Sequence, residues 1–394
     1  MNQSADCLQQ KLWSKEFMLV ILANFLVFTS MYMLLPTLPL YAQFIGGSQS
    51  MAGLIVGIFT LAAVVFRPLF GNMLDQIGRK RVLLLGVGIF AVTTASYHAT
   101  SLIIILLAVR LLQGVGWGAT TTATGTIASD VIPPARRAEG MGYFGMASTV
   151  AMSIGPAWGL ALTSHSSYSM LFTLATVLSL LCLGASWLIN YEQKNPVSLP
   201  TDRKGVIIEK TAVVPSVVLL FVSLTYGGIV TFLPGYAAYR GITDIGLFFT
   251  TFAISLLVTR PFMGKAADRL GFSAILLPGM LLLGAALQVL VHATTLPQFL
   301  VAAVLYGLGF GSVQPILNAI TIALAPPQRR GAANATFMSA MDTGIGLGAI
   351  IWGMVAERLG FSYIYGYSTV LIAISLGCYL LLLHRKLSPK TPAE

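Results

Sequence analysis

The chain has 394 residues; only 9% are Asp, Glu, Lys or Arg, 56% are apolar, and the formal net charge is +10. A soluble domain carries about 25% charge, so this composition excludes an ordinary soluble fold and predicts a membrane protein. Three cysteines, Cys7, Cys182 and Cys378, stand in no CxxC pair, which excludes a disulfide framework and a zinc site.

A polar lead, Met1 to Glu16, precedes an apolar run too long for a signal-peptide core, and no small-residue cleavage site follows. It predicts a retained first span. Apolar runs then mark 17–40, 50–70, 82–99, 102–129, 140–162, 169–189, 213–236, 245–263, 274–291, 296–323, 333–355 and 361–383. Each is long enough to cross about 30 Å of hydrocarbon as a helix. Helix is the expected state because a span must satisfy its own backbone polar groups, and the alternation of a membrane barrel is absent. The fold class predicted is therefore an all-α membrane protein of twelve transmembrane helices.

Lysine and arginine set the orientation. The odd-numbered connections hold two cationic residues, Arg240 and Arg358, whereas the even-numbered ones and both termini hold eighteen. By the positive-inside rule both termini are expected in the cytoplasm, and the basic balance needs no nucleic acid. The longest polar stretch, 190–211, reads as a cytoplasmic linker. It divides the chain into 1–189 and 212–394.

The halves repeat. Arg67, Gly71, Asp75 and Gly78 recur as Arg260, Gly264, Asp268 and Gly271, and 260−67 and 271−78 both give 193. At the same offset Gln113-Gly114-Val115-Gly116-Trp117-Gly118 meets Tyr306-Gly307-Leu308-Gly309-Phe310-Gly311, and Gly155 meets Gly348. Six spans separate equivalent positions, so the repeat is parallel, about an axis along the membrane normal.

Single residues then stand out. Arg110 lies about 12 Å into span four by helical rise, and an arginine there must face a partner or a water-filled cavity. Its copy is Ala303, so it is no symmetric scaffold element. Asp342 is the acid deep in a span, near the bilayer centre; it suits proton binding and release, or else a helix-packing hydrogen bond or a salt bridge to an arginine such as Arg67 or Arg260. Arg67 and Arg260 are expected to snorkel to the cytoplasmic interface. Polar or aromatic residues of spans one, four, seven and ten, namely Asn24, Tyr32, Gln113, Trp117, Tyr226, Gln314 and Asn318, are candidates to line a substrate cavity. Gly344-Ile345-Gly346-Leu347-Gly348 lacks a preceding strand and reads as helix packing, not a dinucleotide loop. No phosphate loop, metal-ligand spacing or catalytic triad is present in the sequence, so neither an enzyme, a metal nor a cofactor is expected.

Gly71-Asn72-Met73-Leu74-Asp75-Gln76-Ile77-Gly78-Arg79-Lys80-Arg81 resembles the signature Gly-x-Leu-x-Asp-Arg-x-Gly-Arg-Arg/Lys of the major facilitator superfamily, with Met73 and Gln76 departing. Arg110-Leu111-Leu112-Gln113-Gly114-Val115-Gly116 is similar to its helix-four motif. Ala151 to Leu160, through Gly155 and Pro156, is similar to the helix-five motif of exporters, with Ala151 and Leu160 departing. The resemblance implies two six-helix bundles around a central cavity, acting by alternating access. It implies proton coupling at Arg110. It also implies a gate: Asp75, Arg79 and Asp130 as a cytoplasmic latch against helix eleven, with Gly71, Gly78, Lys80, Gly155, Pro156, Gly264, Asp268 and Gly271 as supporting positions. We read Asp75 and Arg79 on a short turn edged by Gly71 and Gly78. The function expected is proton-coupled efflux of small amphipathic or apolar compounds by a monomer in the plasma membrane, in contact with lipid, substrate and protons. A sugar or metabolite transporter, a lipid flippase and a non-transporting membrane sensor are the alternatives.

Overall fold

The computed structural model describes residues 12–133, 136–165, 167–190, 208–326 and 329–384. These hold twelve α-helices and no strand: α1 (Lys15–Phe44), α2 (Gln49–Ile77), α3 (Arg79–Ser96), α4 (Ile103–Val131), α5 (Arg137–His165), α6 (Tyr168–Leu188), α7 (Val213–Tyr239), α8 (Gly246–Leu270), α9 (Phe272–His292), α10 (Leu296–Leu324), α11 (Arg330–Leu359) and α12 (Phe361–Cys378). Several run well past the apolar limits read from sequence. Ten are long and apolar enough to cross a membrane. The twelve helices match the twelve apolar runs in number and order.

The flanks fit a bilayer. Ile104, Val65, Trp187 and Leu381 expose 69–73% of their surface, an arrangement a water-facing helix avoids. Inside the helices, hydroxyls are satisfied locally. Thr120, Thr122, Thr124 and Thr126 of α4 each donate to the carbonyl four residues earlier, at 2.7–2.9 Å.

The chain forms two compact units, Met1–Tyr41 with Ile58–Thr201 and Ala42–Gly57 with Asp202–Glu394. The α1–α2 hairpin, residues 42–57, thus groups with the second unit. Within the first, α3 packs on α4 and α6; within the second, α9 packs on α10 and α12, and α11 packs on α7.

The sequence repeat is also a packing repeat. A Cβ added to Gly114 would lie 2.2 Å from the Phe59 carbonyl of α2, and one on Gly116 would lie 2.9 Å from the Gly86 carbonyl of α3. In the second unit a Cβ on Gly307 would lie 2.8 Å from the Phe252 carbonyl of α8, and one on Gly309 would lie 2.8 Å from the Gly279 carbonyl of α9. Each residue is 193 positions from its counterpart. The alternating glycines of α4 and α10 therefore let one helix touch two neighbours at backbone distance.

Candidate functional site

In the first unit, that close packing buries a charge. Arg110 is 0% exposed on α4. Its Nη1 donates to Gln113 Oε1 at 2.7 Å, one turn along the same helix face. The Tyr97 hydroxyl donates to the same oxygen at 2.5 Å, and Gln113 Nε2 donates to Thr94 Oγ1 of α3 at 2.8 Å. The guanidinium carbon sits 4.1 Å from the Phe59 ring centroid, a cation–π arrangement that offsets part of the cost of burial. Phe59 is held there by the Gly114 contact, so the glycine motif and the arginine act on one place.

Around this network lies an aromatic cluster. Trp117 packs at a tilt against Phe28 at 4.6 Å, Phe59 at 6.0 Å and Phe90 at 6.1 Å, and Phe28 meets Tyr32 at 6.1 Å. Of the expected cavity residues in this unit, Tyr32, Gln113 and Trp117 belong to one neighbourhood with Arg110. Asn24 does not: it is buried, and its Nδ2 donates to Ser148 Oγ at 2.6 Å, tying α1 to α5. Tyr97, Thr94 and Phe59 escaped the sequence reading. Nothing marks them individually, since a tyrosine at a span end and a phenylalanine in an apolar run are ordinary.

The second unit repeats the place without the charge. Ala303, Tyr306, Phe310 and Phe252 stand 193 residues after Arg110, Gln113, Trp117 and Phe59. Tyr226 stacks on Phe310 at 5.0 Å, Phe310 meets Tyr306 at 6.1 Å, and the Tyr306 hydroxyl hydrogen-bonds Thr225 Oγ1 at 2.8 Å. Arg260, expected to snorkel, donates from Nη2 to Gln314 Oε1 of α10 at 3.0 Å, since that amide lies within reach inside the unit. Asn318 is half-buried on α10. Its Oδ1 is enclosed and accepts no hydrogen bond from the described residues.

Asp342 is the thirteenth of the 30 residues of α11. It is half-buried, not fully enclosed, while Gly344 and Gly348 beyond it carry the close contact with α7. Its copy in the first unit is Thr149, which is neutral and donates to the Gly145 carbonyl at 2.9 Å. Both unusual ionisable residues thus occupy positions whose repeats are uncharged.

The Gly71–Arg81 motif needs a correction. Gly71 and Asp75 do not edge or occupy a turn; α2 continues through Ile77, and one residue, Gly78 with φ 96°, joins it to α3. Only glycine adopts that backbone without strain, and Gly271 repeats it with φ 84° between α8 and α9. The joint places Arg79 on the first turn of α3, where its Nε lies 3.5 Å from Asp130 Oδ2 at the end of α4. Its Nη1 also donates to the Leu74 carbonyl at 3.2 Å. Lys80 follows, half-buried. The side chains of Asp75 in α2 and Asp268 in α8 lie outside the described residues, and Gly264 belongs to α8. Gly155 and Pro156 are buried in α5, and a Cβ on Gly155 would lie 2.7 Å from Tyr32 Cβ, so this part of the helix-five motif is a contact with α1. An apolar groove of about 430 Å³, lined by Trp13, Met18, Leu22, Phe25, Tyr143 and Met146, shares no residue with any of these groups.

No group of His, Cys, Asp and Glu among the described residues could hold a metal. The model of the Major Facilitator Superfamily matches residues 20–244 and 216–394. An uncharacterised MFS-type transporter of Methanocaldococcus jannaschii is 24% identical over 382 residues, covering 93% of this chain and 98% of that protein. The staphylopine export protein of Staphylococcus aureus is 22% identical, covering 91% and 94%. Among solved structures, a POT family transporter in complex with 5-aminolevulinic acid superposes with a TM-score of 0.78 at 15% identity, covering 94% and 96%. The nucleoside transporter NupG superposes with a TM-score of 0.73 at 15% identity, covering 92% and 99%. At such identities the structures speak for the fold alone, but the family match spans nearly the whole chain. The chain therefore belongs to the Major Facilitator Superfamily, and it is a multi-pass membrane transporter of small molecules, not an enzyme.

Proposed function

We propose that the protein is a proton-coupled exporter of small amphipathic or apolar compounds, working by alternating access as a monomer in the plasma membrane, with both termini cytoplasmic. The observation that carries this reading is the asymmetry of the repeat. Where the halves share a scaffold, Arg110 and Asp342 are charged and their copies, Ala303 and Thr149, are neutral. Scaffold residues would be expected in both halves, whereas an ionisable group kept in one half at a cost in the membrane points to use.

In this reading Asp342 takes up and releases the proton, and half-burial gives it a route to water. Arg110, held by Gln113 and Tyr97, supplies fixed positive charge. The substrate meets the aromatic surfaces of Tyr32, Trp117 and Tyr226, with Gln314 and the open acceptor of Asn318 as polar contacts. Lengths 1–189 and 212–394 act as the rocking bodies. Arg79, Asp130, Lys80 and Asp75, with the joints at Gly78 and Gly271, and Gly71, Gly264, Asp268, Gly155 and Pro156 form the gate. The direction of transport draws on the helix-five motif and on the similarity to a staphylopine exporter.

The test is substrate-driven proton movement in proteoliposomes, comparing the parent with Asp342→Asn. Coupling should be lost while downhill substrate exchange persists. Unchanged coupling in Asp342→Asn overturns the assignment.

A further inference from the structure

The first unit carries a groove apart from Arg110 and its partners. It runs between α1 and α5, with a volume of about 430 Å³, and its walls are apolar: Met18, Leu22 and Phe25 on α1, Tyr143, Met146 and Val150 on α5. Met18, Leu22 and Met146 expose 45–50% of their surface there. Contiguous apolar surface of this kind marks a place where another apolar body docks. The repeat does not preserve it. Tyr143, Met146 and Val150 correspond to Thr336, Ser339 and Thr343, whose hydroxyls would interrupt an apolar wall. The groove is therefore no requirement of the helix packing that the two halves share.

Its length and its mouth say what fits. Phe25 stands ten residues after Lys15 on α1, about 15 Å by helical rise. That is half of the ~30 Å hydrocarbon core, the depth of one leaflet. At the end nearer the N-terminus Trp13 packs on Tyr143 at 5.0 Å and on Phe17 at 5.7 Å. Tryptophan and tyrosine gather at the level of lipid headgroups, where one part of the ring is apolar and the other wet. Charges follow. Lys15 lies three residues before Met18 and seven before Leu22, hence on the groove's face of α1. Glu16 lies off that face. Arg136 and Glu139, seven and four residues before Tyr143, neutralise each other through two hydrogen bonds of 2.9 Å. Lys15 is exposed and joins no ion pair among the described residues, so the mouth keeps a positive charge. Residues 1–11, which lead up to it, are mostly polar and supply no apolar run to fill the groove.

We propose that the groove binds one anionic phospholipid, a phosphatidylglycerol. An acyl chain lies between α1 and α5, the glycerol backbone sits at Trp13 and Tyr143, and the phosphate meets Lys15. A zwitterionic lipid fits less well, because its ammonium needs an acceptor and the Glu139 carboxylate is already held by Arg136. The site rests on the membrane setting of the chain, not on proton coupling or on any particular transported compound.

The experiment uses full-length protein purified in mild detergent. It is exchanged against equal amounts of phosphatidylglycerol and phosphatidylethanolamine with matched acyl chains, and retained lipid is counted by native mass spectrometry. The parent should retain a single phosphatidylglycerol in preference to phosphatidylethanolamine. Lys15→Gln should lower that preference about fivefold, the weight of one cation beside an anionic headgroup. Ala147→Trp, which fills the groove from α5, should remove the retained lipid. No retained lipid, or equal retention of the two lipids by the parent, overturns the proposal. So does retention that neither variant changes, which would place the lipid elsewhere. A dimer without lipid that Ala147→Trp dissociates also overturns it, since the groove would then be a contact between two copies. Should Ala147→Trp not fold, Leu22→Asn on the exposed wall takes its place with the same readings. These variants keep Asp342 and Arg110, so failure here would leave the Asp342 assay standing, and the reverse.

Discussion

Gln113 is the residue on which the buried charge of the first unit depends most directly. Its Oε1 accepts from Arg110 at 2.7 Å and from Tyr97 at 2.5 Å. Gln113→Leu keeps the volume and removes the one oxygen that accepts both bonds. A buried donor left without an acceptor costs about 1–3 kcal/mol, more if charged, so the two together should cost about 3–6 kcal/mol. Arg110→Met removes the charge instead. The Gln113 oxygen keeps its bond from Tyr97, and the cost of burying a guanidinium disappears, so about 0–2 kcal/mol is expected. The uncharged residue should therefore be the more damaging one to replace. Adding Arg110→Met to Gln113→Leu should restore stability, because the buried cation that lost this acceptor goes with it. Thermal midpoints of the three detergent-purified variants, read by fluorescence-detected size exclusion, give the order. A Gln113→Leu midpoint at or above that of Arg110→Met, or a double variant worse than Gln113→Leu alone, would refute this account of the network.

Gly114→Ala should lower the thermal midpoint, since its new Cβ would lie 2.2 Å from the Phe59 carbonyl and overpacking costs about 1–3 kcal/mol; Gly125→Ala on the same helix meets nothing within 4 Å and should raise it by helix propensity. Asp130→Asn should cost under about 1 kcal/mol of stability, as expected of a partly exposed pair such as Arg79–Asp130, yet slow transport if the pair works in the gate; calorimetry and a transport rate separate the two. At the entrance to α7, burial pushes the Glu209 carboxyl up, but hydrogen bonds from the Thr211 N–H and hydroxyl and from Arg329 outweigh it and hold the group below its ordinary value of 4.5. A lowered carboxyl stabilises above its unfolded value, and that contribution is lost as pH falls through the folded value. Glu209→Gln should thus melt below the parent at neutral pH, and the gap should close in acid; a gap independent of pH would place the effect elsewhere.

The Glu209 contact shows how the repeat diverges. Arg136, the first-half copy of Arg329, pairs with Glu139 in the first turn of α5 at 2.9 Å. The copy of Glu139 is Ala332, and Arg329 pairs instead with Glu209 at 3.3 Å, while the Glu209 N–H donates to Thr336 Oγ1 at 3.0 Å. Each arginine found an acid, but the second found it on the segment leading into α7. The start of α11 is thereby tied to that segment.

The sequence by itself determined twelve helices, their order and the internal repeat. These follow from local rules: apolar length sets a span, charge sets its side, and duplicated residues keep their spacing. It also pointed to Arg110 and Asp342, because a charge within an apolar run is conspicuous without any structure. What the tertiary structure decided was who meets whom. Tyr97 and Thr94 join Arg110 only because α3 lies against α4 at the Gly86 and Gly116 crossing. Asn24 meets Ser148 because α5 lies against α1 there. Asp75 was expected on a turn because Gly71 suggested a break, but a helix tolerates one glycine, and α2 ends only where φ turns positive at Gly78. Glu357 is an ordinary glutamate in the sequence, and the hydrogen bond it accepts from the Ser50 N–H at the start of α2, 307 residues earlier, exists only in three dimensions. Periodicity and composition are properties of a segment, whereas a hydrogen bond between distant segments depends on how helices cross, which no local pattern encodes.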